Sequence, residues 1–329
     1  MRCAHRQGYR VVGRKDMLRA AFQMALLFLL VAPAARTAET GYVGPAICTG
    51  CHEASAESYA SGIHGRKYVP LAPATSRGCE SCHGPGAEHV KKGGGKGGIF
   101  SFSKDSDPGT RSAKCLTCHQ DDREAAFWDM SPHSSGGLSC TTCHEVHVSA
   151  GGFLRSSNHR PARVRDKELR SPVPGLCFPC HSDVRSQTLR RSRHPIREGR
   201  IACTKCHLPH GGPGPKLLKA DSANDLCYRC HTEKRGPFVE DHPPVPENCL
   251  NCHVPHGSNH YALLVRKTPQ LCQSCHDAAR HPGTPYTAFE TFGGPFPRNR
   301  MVARNCVMCH TNIHGSAGSP GSRALHLLR

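Results

Sequence analysis

The chain has 329 residues and a formal charge of +18, and it holds 21 cysteines and 24 histidines but only one tryptophan. Its 37% hydrophobic fraction excludes the large apolar core of an ordinary globular protein of this length. The 26 prolines and 33 glycines exclude long helices, because both residue types interrupt periodic segments. The positive charge by itself would suggest nucleic acid or anionic lipid as a partner.

Residues 1–34 have the pattern of an export signal. Basic residues precede an apolar run at 24–31, and Ala32-Pro33-Ala34 offers a cleavage site between small residues. The run is much shorter than the about 20 residues that span a bilayer, so a membrane anchor is the less favoured alternative. Met17 is an alternative start to Met1. We predict that the mature chain is exported to an oxidising compartment outside the inner membrane.

Ten copies of Cys-x-x-Cys-His account for 20 of the 21 cysteines. This is the attachment pattern of c-type haem, in which two thiols bond to the haem and the adjacent histidine ligates the iron. We predict ten covalent haems, attached at Cys48 and Cys51, Cys79 and Cys82, Cys115 and Cys118, Cys140 and Cys143, Cys177 and Cys180, Cys203 and Cys206, Cys227 and Cys230, Cys249 and Cys252, Cys272 and Cys275, and Cys306 and Cys309. The predicted proximal iron ligands are His52, His83, His119, His144, His181, His207, His231, His253, His276 and His310.

Two alternatives explain the cysteines less well. A structural zinc site needs four protein ligands, usually from two paired elements, whereas here each cysteine pair carries its own histidine. A disulfide framework accounts for many cysteines in an exported chain, but it does not account for the fixed histidine. Haem also changes the interpretation of the charge, because lysine and arginine would pair with haem propionates. We therefore expect no nucleic-acid partner.

A cassette with two motifs recurs three times from residue 133 onward. It contains a leading histidine, then Cys-x-x-Cys-His-x-x-His, an apolar pair, and a second motif preceded by leucine. We interpret the apolar pairs as Phe153-Leu154, Leu217-Leu218 and Leu263-Leu264. Such repeats stack in one dimension, which predicts an extended row. The predicted divisions are a cleaved signal at 1–34, an N-terminal five-haem half at 35–190, a C-terminal five-haem half at 191–315 and a disordered tail at 316–329.

The second axial ligand decides whether a haem only passes electrons or also binds a small molecule. After each proximal histidine at least one further histidine follows, which predicts two histidines on every iron. The predicted distal ligands are His64, His89, His133, His147, His194, His210, His242, His256, His281 and His314. His159 and His260 do not recur in the cassettes and are interpreted as surface residues. His147, His210 and His256 lie three residues after a proximal histidine, so each is expected to reach a neighbouring haem.

The predicted fold is that of a multihaem cytochrome c. It is mostly irregular, with short α-helices wrapped round an extended haem chain and little or no β-structure. Short helices are expected at Cys115, Cys227 and Cys272, where the flanking sequence lacks glycine and proline. All ten motifs keep their histidine, which favours an electron-transfer protein over an enzyme with an open haem.

Several runs resemble the decahaem cytochromes of the MtrA/DmsE family, the periplasmic components of porin–cytochrome conduits. They are Cys-His-Gly-Pro-Gly-Ala-Glu-His at 82–89, Arg-His-Pro at 193–195, Cys-His-x-Pro-His at 206–210 and 252–256, and Asp-His-Pro-Pro at 241–244. The run Cys-His-Glu-Val-His at 143–147 departs from the proline form.

The resemblance implies a haem row inside an outer-membrane β-barrel porin. Periplasmic donor cytochromes would lie on one side, and an outer-surface cytochrome or extracellular acceptor on the other. It also implies a location in the periplasm, associated with or inserted in the outer membrane. A soluble periplasmic or extracellular electron shuttle with the same ligation is the alternative, and a multihaem oxidoreductase is a weaker one.

Overall fold

The computed structural model describes residues 41–147, 168–276, 306–308 and 310–317. The predicted signal at 1–34 lies outside the described residues, and so do His159, His281 and Cys309. None of the helices in the described ranges has both the length and the apolar character that a membrane crossing requires.

Short helices joined by irregular segments make up the described chain. The α-helices are α1 Pro45–Thr49, α2 Glu53–Ser61, α3 Glu80–His83, α4 Ala87–Lys91, α5 Pro108–His119, α6 Pro132–Ser135, α7 Cys140–Cys143, α8 Ser182–Gln187, α9 Ala223–Tyr228 and α10 Pro244–Glu247. Single 3-10 turns lie at Pro73–Thr75, Trp128–Met130, Cys203–Lys205, Pro215–Leu217, Thr232–Lys234, Cys249–Asn251, Tyr261–Leu263, Cys272–Ser274 and Cys306–Met308. Within these ranges β-structure is limited to isolated bridges, so the predicted fold class is confirmed.

Local capping explains why helices form at two of the motifs. The carboxylate of Asp107 accepts a hydrogen bond from Thr110 N at the start of α5, and Pro108 has the fixed φ that suits a first turn. Ser222 caps α9 in the same way through Asp225 N. Both helices then run into a haem motif. The short helices predicted at Cys115, Cys227 and Cys272 are confirmed, the last as a single 3-10 turn.

Side chains alone do not build an apolar core in the described residues. Only Ala72, Trp128 and Ile196 are buried hydrophobic residues there. Buried polar residues are more numerous, and Glu80 is among them with 2% of its surface exposed. The Glu80 carboxylate accepts hydrogen bonds from the backbone N–H groups of three residues, which are Val43, Gly44 and Gly86. Backbone hydrogen bonding to buried polar groups therefore takes part of the role that apolar packing has in other folds.

The cassettes share one backbone arrangement. A bridge joins the proximal histidine of the first motif to a leucine in each copy, at His144–Leu169, His207–Leu218 and His253–Leu264. The first copy therefore places Glu168-Leu169 where the others have their leucine pairs. The prediction of Phe153-Leu154 for this position is wrong, and that pair lies outside the described residues. The intervening loop is longer in the first copy, which shifts the pair along the sequence.

Contacts cross the predicted boundary between the two halves. The Arg190 guanidinium donates to the carbonyl of Gly257 at 3.4 Å, and Nδ1 of His133 lies 2.7 Å from the carbonyl oxygen of Pro209. At the other end, Ser316 bridges to Glu240, so the first residue of the predicted tail is paired. The division of the chain near residue 190 stays a prediction.

We expect the haem-free chain to show no cooperative unfolding transition, because the described residues bury so few apolar side chains and ligation would have to replace them. Circular dichroism with a thermal ramp on protein made without haem attachment measures this directly. The matched sample is the haem-loaded protein under the same conditions. A sharp thermal transition in the haem-free chain would contradict the expectation.

Candidate haem sites

One helical turn organises each motif. The backbone N–H of the motif histidine donates to the carbonyl of the first cysteine four residues earlier, at 2.9 to 3.1 Å in nine motifs. The tenth motif, at Cys115, lies inside α5. Residues three and four apart on a helical turn share one face. The turn therefore brings the two thiols and the imidazole of a motif to the same side of the backbone.

Thiol–thiol contacts join each motif to the next. First cysteines are electrostatic neighbours at Cys48–Cys79, Cys115–Cys140, Cys177–Cys203, Cys227–Cys249 and Cys272–Cys306. Second cysteines are neighbours at Cys82–Cys118, Cys143–Cys180, Cys206–Cys230 and Cys252–Cys275. Burial and then the neighbouring thiol raise the pKa of Cys227 to about 11. These contacts link the ten motifs in sequence order, and no disulfide joins any described cysteine.

Imidazole rings face each other in pairs along this row. Each pair joins a predicted proximal histidine to a predicted distal one, with ring centroids 5.9 to 6.4 Å apart. The nine pairs in the described residues are His52–His89, His83–His147, His119–His64, His144–His210, His181–His133, His207–His256, His231–His194, His253–His314 and His276–His242. His260 enters no pair among the described residues, and the tenth predicted distal ligand, His281, lies outside them.

This spacing fits an iron between the rings. A metal–imidazole bond is about 2 Å long, and a ring nitrogen lies about 1 Å from its ring centroid. An iron midway between two imidazoles would therefore hold their centroids about 6 Å apart, which is the separation found in the nine pairs. The proposed sites thus have room for haem iron, and the neighbouring thiols of each motif are the groups that would attach the porphyrin.

Backbone carbonyls orient the rings. Nδ1 lies within hydrogen-bonding distance of a carbonyl oxygen in His83 with Phe100, at 2.9 Å, and in His253 with Ala262, at 2.8 Å. A hydrogen bond at Nδ1 fixes the tautomer and leaves Nε2 free to bind a metal. Burial is the main cause of a lowered pKa in His83 and His256, and the facing histidine adds to the shift. Both effects favour the neutral imidazole, which is the metal-binding form.

The pairs interlock the cassettes in a regular way. The leading histidine of a cassette faces the proximal histidine of the second motif in the same cassette, as in His194–His231. The histidine three residues after the first motif faces the first motif of the preceding cassette, as in His210–His144. The sequence predicts that His147, His210 and His256 reach neighbouring haems, but it does not predict which ring faces which.

Two carboxylates at one pair were not predicted from the sequence. Glu168 Oε2 lies 2.8 Å from Nδ1 of His64, and Asp122 Oδ2 lies 2.5 Å from Nδ1 of His119. Burial raises the pKa of Glu168, but the contact with His64 and the N–H of Ile63 outweigh it and leave the pKa lowered. The available sequence signal was the run Lys-Glu-Leu-Arg at 167–170, which has the form of Lys-Leu-Leu-Lys at 216–219.

Comparisons with known proteins identify the family. A profile described as a doubled CXXCH motif matches residues 194–236 and 242–281, and one for NrfB-like c-type cytochromes matches 79–164. Multiheme cytochrome MtrA of Shewanella baltica is 34% identical over 277 residues, which cover 82% of this chain and 77% of the relative.

Two further relatives are more distant. C-type polyheme cytochrome OmcB of Geobacter sulfurreducens is 23% identical over 86% of this chain, but over only 38% of its own length. High-molecular-weight cytochrome c of Nitratidesulfovibrio vulgaris is 24% identical over 51% of this chain and 30% of its own length. With covalent haem motifs, facing histidines and an extensive match to MtrA together, the chain belongs to the MtrA family of multihaem c-type cytochromes and is an electron-transfer protein.

Proposed function

We propose that this chain binds ten haems, each between two histidines, and carries electrons along them across the outer membrane inside a porin sleeve. The observation that carries the proposal is the row of nine imidazole pairs, each with the spacing that suits an iron. Haem iron, when bound, supplies a reversible one-electron change between ferric and ferrous states.

The residues of the chain have three roles in this proposal. Motif cysteines attach each porphyrin, proximal histidines ligate one face of the iron, and distal histidines close the other face. An iron with both axial positions filled has no place for a substrate, so such a site transfers electrons without binding a small molecule. Two imidazoles also give lower potentials than a methionine ligand would. The described pairs consist of histidines alone, which supports a row of similar sites.

Order along the row supports the transfer of electrons from one end to the other. Thiol contacts place each motif beside the next one in sequence, from Cys48 at one end to Cys306 at the other. An electron that enters at one end motif can then leave at the other without crossing solvent. The two ends are therefore the proposed contacts for a periplasmic donor cytochrome and for an outer-surface cytochrome or extracellular acceptor.

A porin sleeve follows from the physics of the bilayer. A membrane about 40–45 Å thick with its headgroups requires every backbone polar group to be satisfied within the hydrocarbon region. The described chain is mostly irregular, and such a backbone survives at that depth only inside another protein. We therefore propose an outer-membrane β-barrel as the partner and a periplasmic, outer-membrane-associated location.

The ligand assignment predicts different results for two histidine variants. We expect His210→Ala to leave His144 without a facing ring, so about a tenth of the haem should become high-spin and bind carbon monoxide. His260→Ala is the matched control, and it should leave the low-spin spectrum unchanged, as should His159→Ala. Electron paramagnetic resonance of the oxidised protein, with carbon monoxide difference spectra of the reduced protein, measures both. A high-spin signal in the His260 variant would overturn the assignment.

The partner assignment predicts co-purification with a barrel. Detergent-solubilised outer membranes should yield cytochrome and barrel together, because the barrel encloses the middle of the row. The exposed residues Arg190 and Arg191 should be cut by trypsin in the free cytochrome and protected in the complex. If the cytochrome is recovered wholly as a free periplasmic monomer, the conduit proposal fails and a soluble electron shuttle replaces it.

A further inference from the structure

The imidazole pair His64–His119 has a carboxylate behind each ring. Nδ1 of His64 meets Glu168 at 2.8 Å, and Nδ1 of His119 meets Asp122 at 2.5 Å. The two carboxylates differ in their surroundings. The Glu168 side chain is 9% exposed, whereas that of Asp122 is 58% exposed. A buried carboxylate keeps most of its effect on a neighbouring charge, and an exposed one is screened by water and salt.

The leading histidines of the first two cassettes are equivalent to His64, and they meet backbone carbonyls instead. Nδ1 of His133 lies 2.7 Å from Pro209 O, and Nδ1 of His194 lies 2.7 Å from Pro255 O. Val146 stands at the position of these prolines, two residues after His144 as they are after their own motif histidines. His64, however, pairs with the Glu168 carboxylate. The site of His64 therefore has a charged acceptor at Nδ1, whereas the sites of His133 and His194 have a neutral one.

Glu168 occupies a repeat position that is leucine elsewhere. Its carbonyl accepts from Glu145 N, as the carbonyl of Leu217 accepts from Leu208 N and that of Leu263 from Val254 N. All three residues have a positive φ, at 52°, 58° and 59°. The backbone is the same in the three copies, so the carboxylate is a side-chain replacement on an unchanged scaffold.

Residue 62 leaves room for the carboxylate. A Cβ atom at Gly62 would lie 2.6 Å from Glu168 Oε1, closer than real Cβ contacts permit. The equivalent positions two residues before His133 and His194 hold Ser131 and Ser192. Ile63 N donates to the same Oε1 atom at 2.9 Å and so fixes the carboxylate beside the ring. Three features of the His64 site thus depend on one another: Gly62, the Glu168 carboxylate and its contact with the His64 ring.

A carboxylate at Nδ1 changes the imidazole as a ligand. It draws the N–H proton toward itself, which raises the basicity of the ring and strengthens its donation to the metal. Its negative charge also stabilises the more positive oxidation state of a nearby iron. Both effects favour ferric over ferrous iron, so both lower the reduction potential of the site.

We propose that Glu168, assisted weakly by Asp122, tunes the iron between His64 and His119 to a lower reduction potential than the iron between His133 and His181. This inference rests on the proposed ligation by these histidines. Glu168 is a tuning residue that acts through His64. An electron would occupy this site less readily than one backed by a carbonyl, because its reduction potential is lower. The motif of His119 is the third in the row. Electrons that pass along the row would therefore meet a step near its N-terminal end.

The test is a redox titration of the full haem-loaded protein and two variants. Glu168→Gln keeps the shape of the side chain and removes its charge. Glu168→Leu installs the residue of the other two cassettes, whose identical backbone shows that leucine is accommodated. In both variants the equilibrium constant for reduction of one haem iron should increase more than tenfold. For one electron, this is a rise of more than 59 mV in the reduction potential. Asp122→Asn should produce a smaller shift in the same direction.

Electron paramagnetic resonance identifies which iron has moved. The His64 and His119 rings are inclined at 82° and those of His133 and His181 at 77°, whereas five other pairs lie between 13° and 30°. Nearly perpendicular ligand planes give the most anisotropic low-spin ferric signals. We expect two such signals with different midpoints in the unaltered protein, and the lower midpoint should rise in the Glu168 variants.

Glu80→Gln is the matched control. Glu80 is also a buried carboxylate, but the groups that donate to it are the backbone amides of Val43, Gly44 and Gly86. It should leave both highly anisotropic signals and their midpoints unchanged. Comparable shifts in the Glu80 and Glu168 variants would show a general effect of charge and would overturn the specific role of Glu168.

Two outcomes contradict the inference and one tests its foundation. If Glu168→Gln leaves both midpoints unchanged with an intact low-spin spectrum, Glu168 does not tune the iron. If it instead produces a high-spin iron, the carboxylate only holds His64 in place. His64→Ala checks the ligation separately, because it should convert one highly anisotropic signal to high spin. Unchanged low-spin signals in that variant would refute the ligation itself.

Discussion

Facing imidazoles about 6 Å apart are the constraint on which the rest of the molecule depends. Each pair takes its two rings from segments that are well separated in sequence, as in His144 with His210 and His207 with His256. A site can therefore form only when distant segments, of one cassette or of two neighbouring cassettes, are folded against each other. This explains how the described residues keep a defined arrangement with only three buried hydrophobic side chains. Ligation would supply the stabilisation that apolar burial supplies in other proteins of this size.

Much of this arrangement could be predicted from the sequence because its signals are local. The motif positions follow from spacing alone, and the short helices at Cys115 and Cys227 follow from flanking sequence that lacks glycine and proline. The histidines that face them were also predicted, since one follows every motif. Which ring meets which could not be predicted. His133 approaches Pro209 from 76 residues away, and no local pattern encodes that distance.

The first cassette shows where pattern matching misleads. The cassette pattern predicts an apolar pair, and Phe153-Leu154 matches that pattern, whereas the structure has Glu168-Leu169 at this position. Backbone amides define this position through their bonds to the motif, and the side chain is free to vary. The residue that departs from the repeat is also the one that contacts a proposed ligand, His64. A search for hydrophobic residues passes over such a position because its chemistry is what has changed.

The interlocked pairing has a consequence for how long such a protein can be. A cassette closes its own second site with its leading histidine, and it closes the first site of the cassette before it, as His210 does for His144. An additional cassette inserted between two others would therefore leave every ring with a partner, and the pair that joined those two cassettes would be replaced by two new pairs through the inserted one. Removing half a cassette would leave a ring unmatched. The architecture can thus be lengthened or shortened in modules of two haem motifs, which under the proposed function would match the length of the row to the thickness of the membrane.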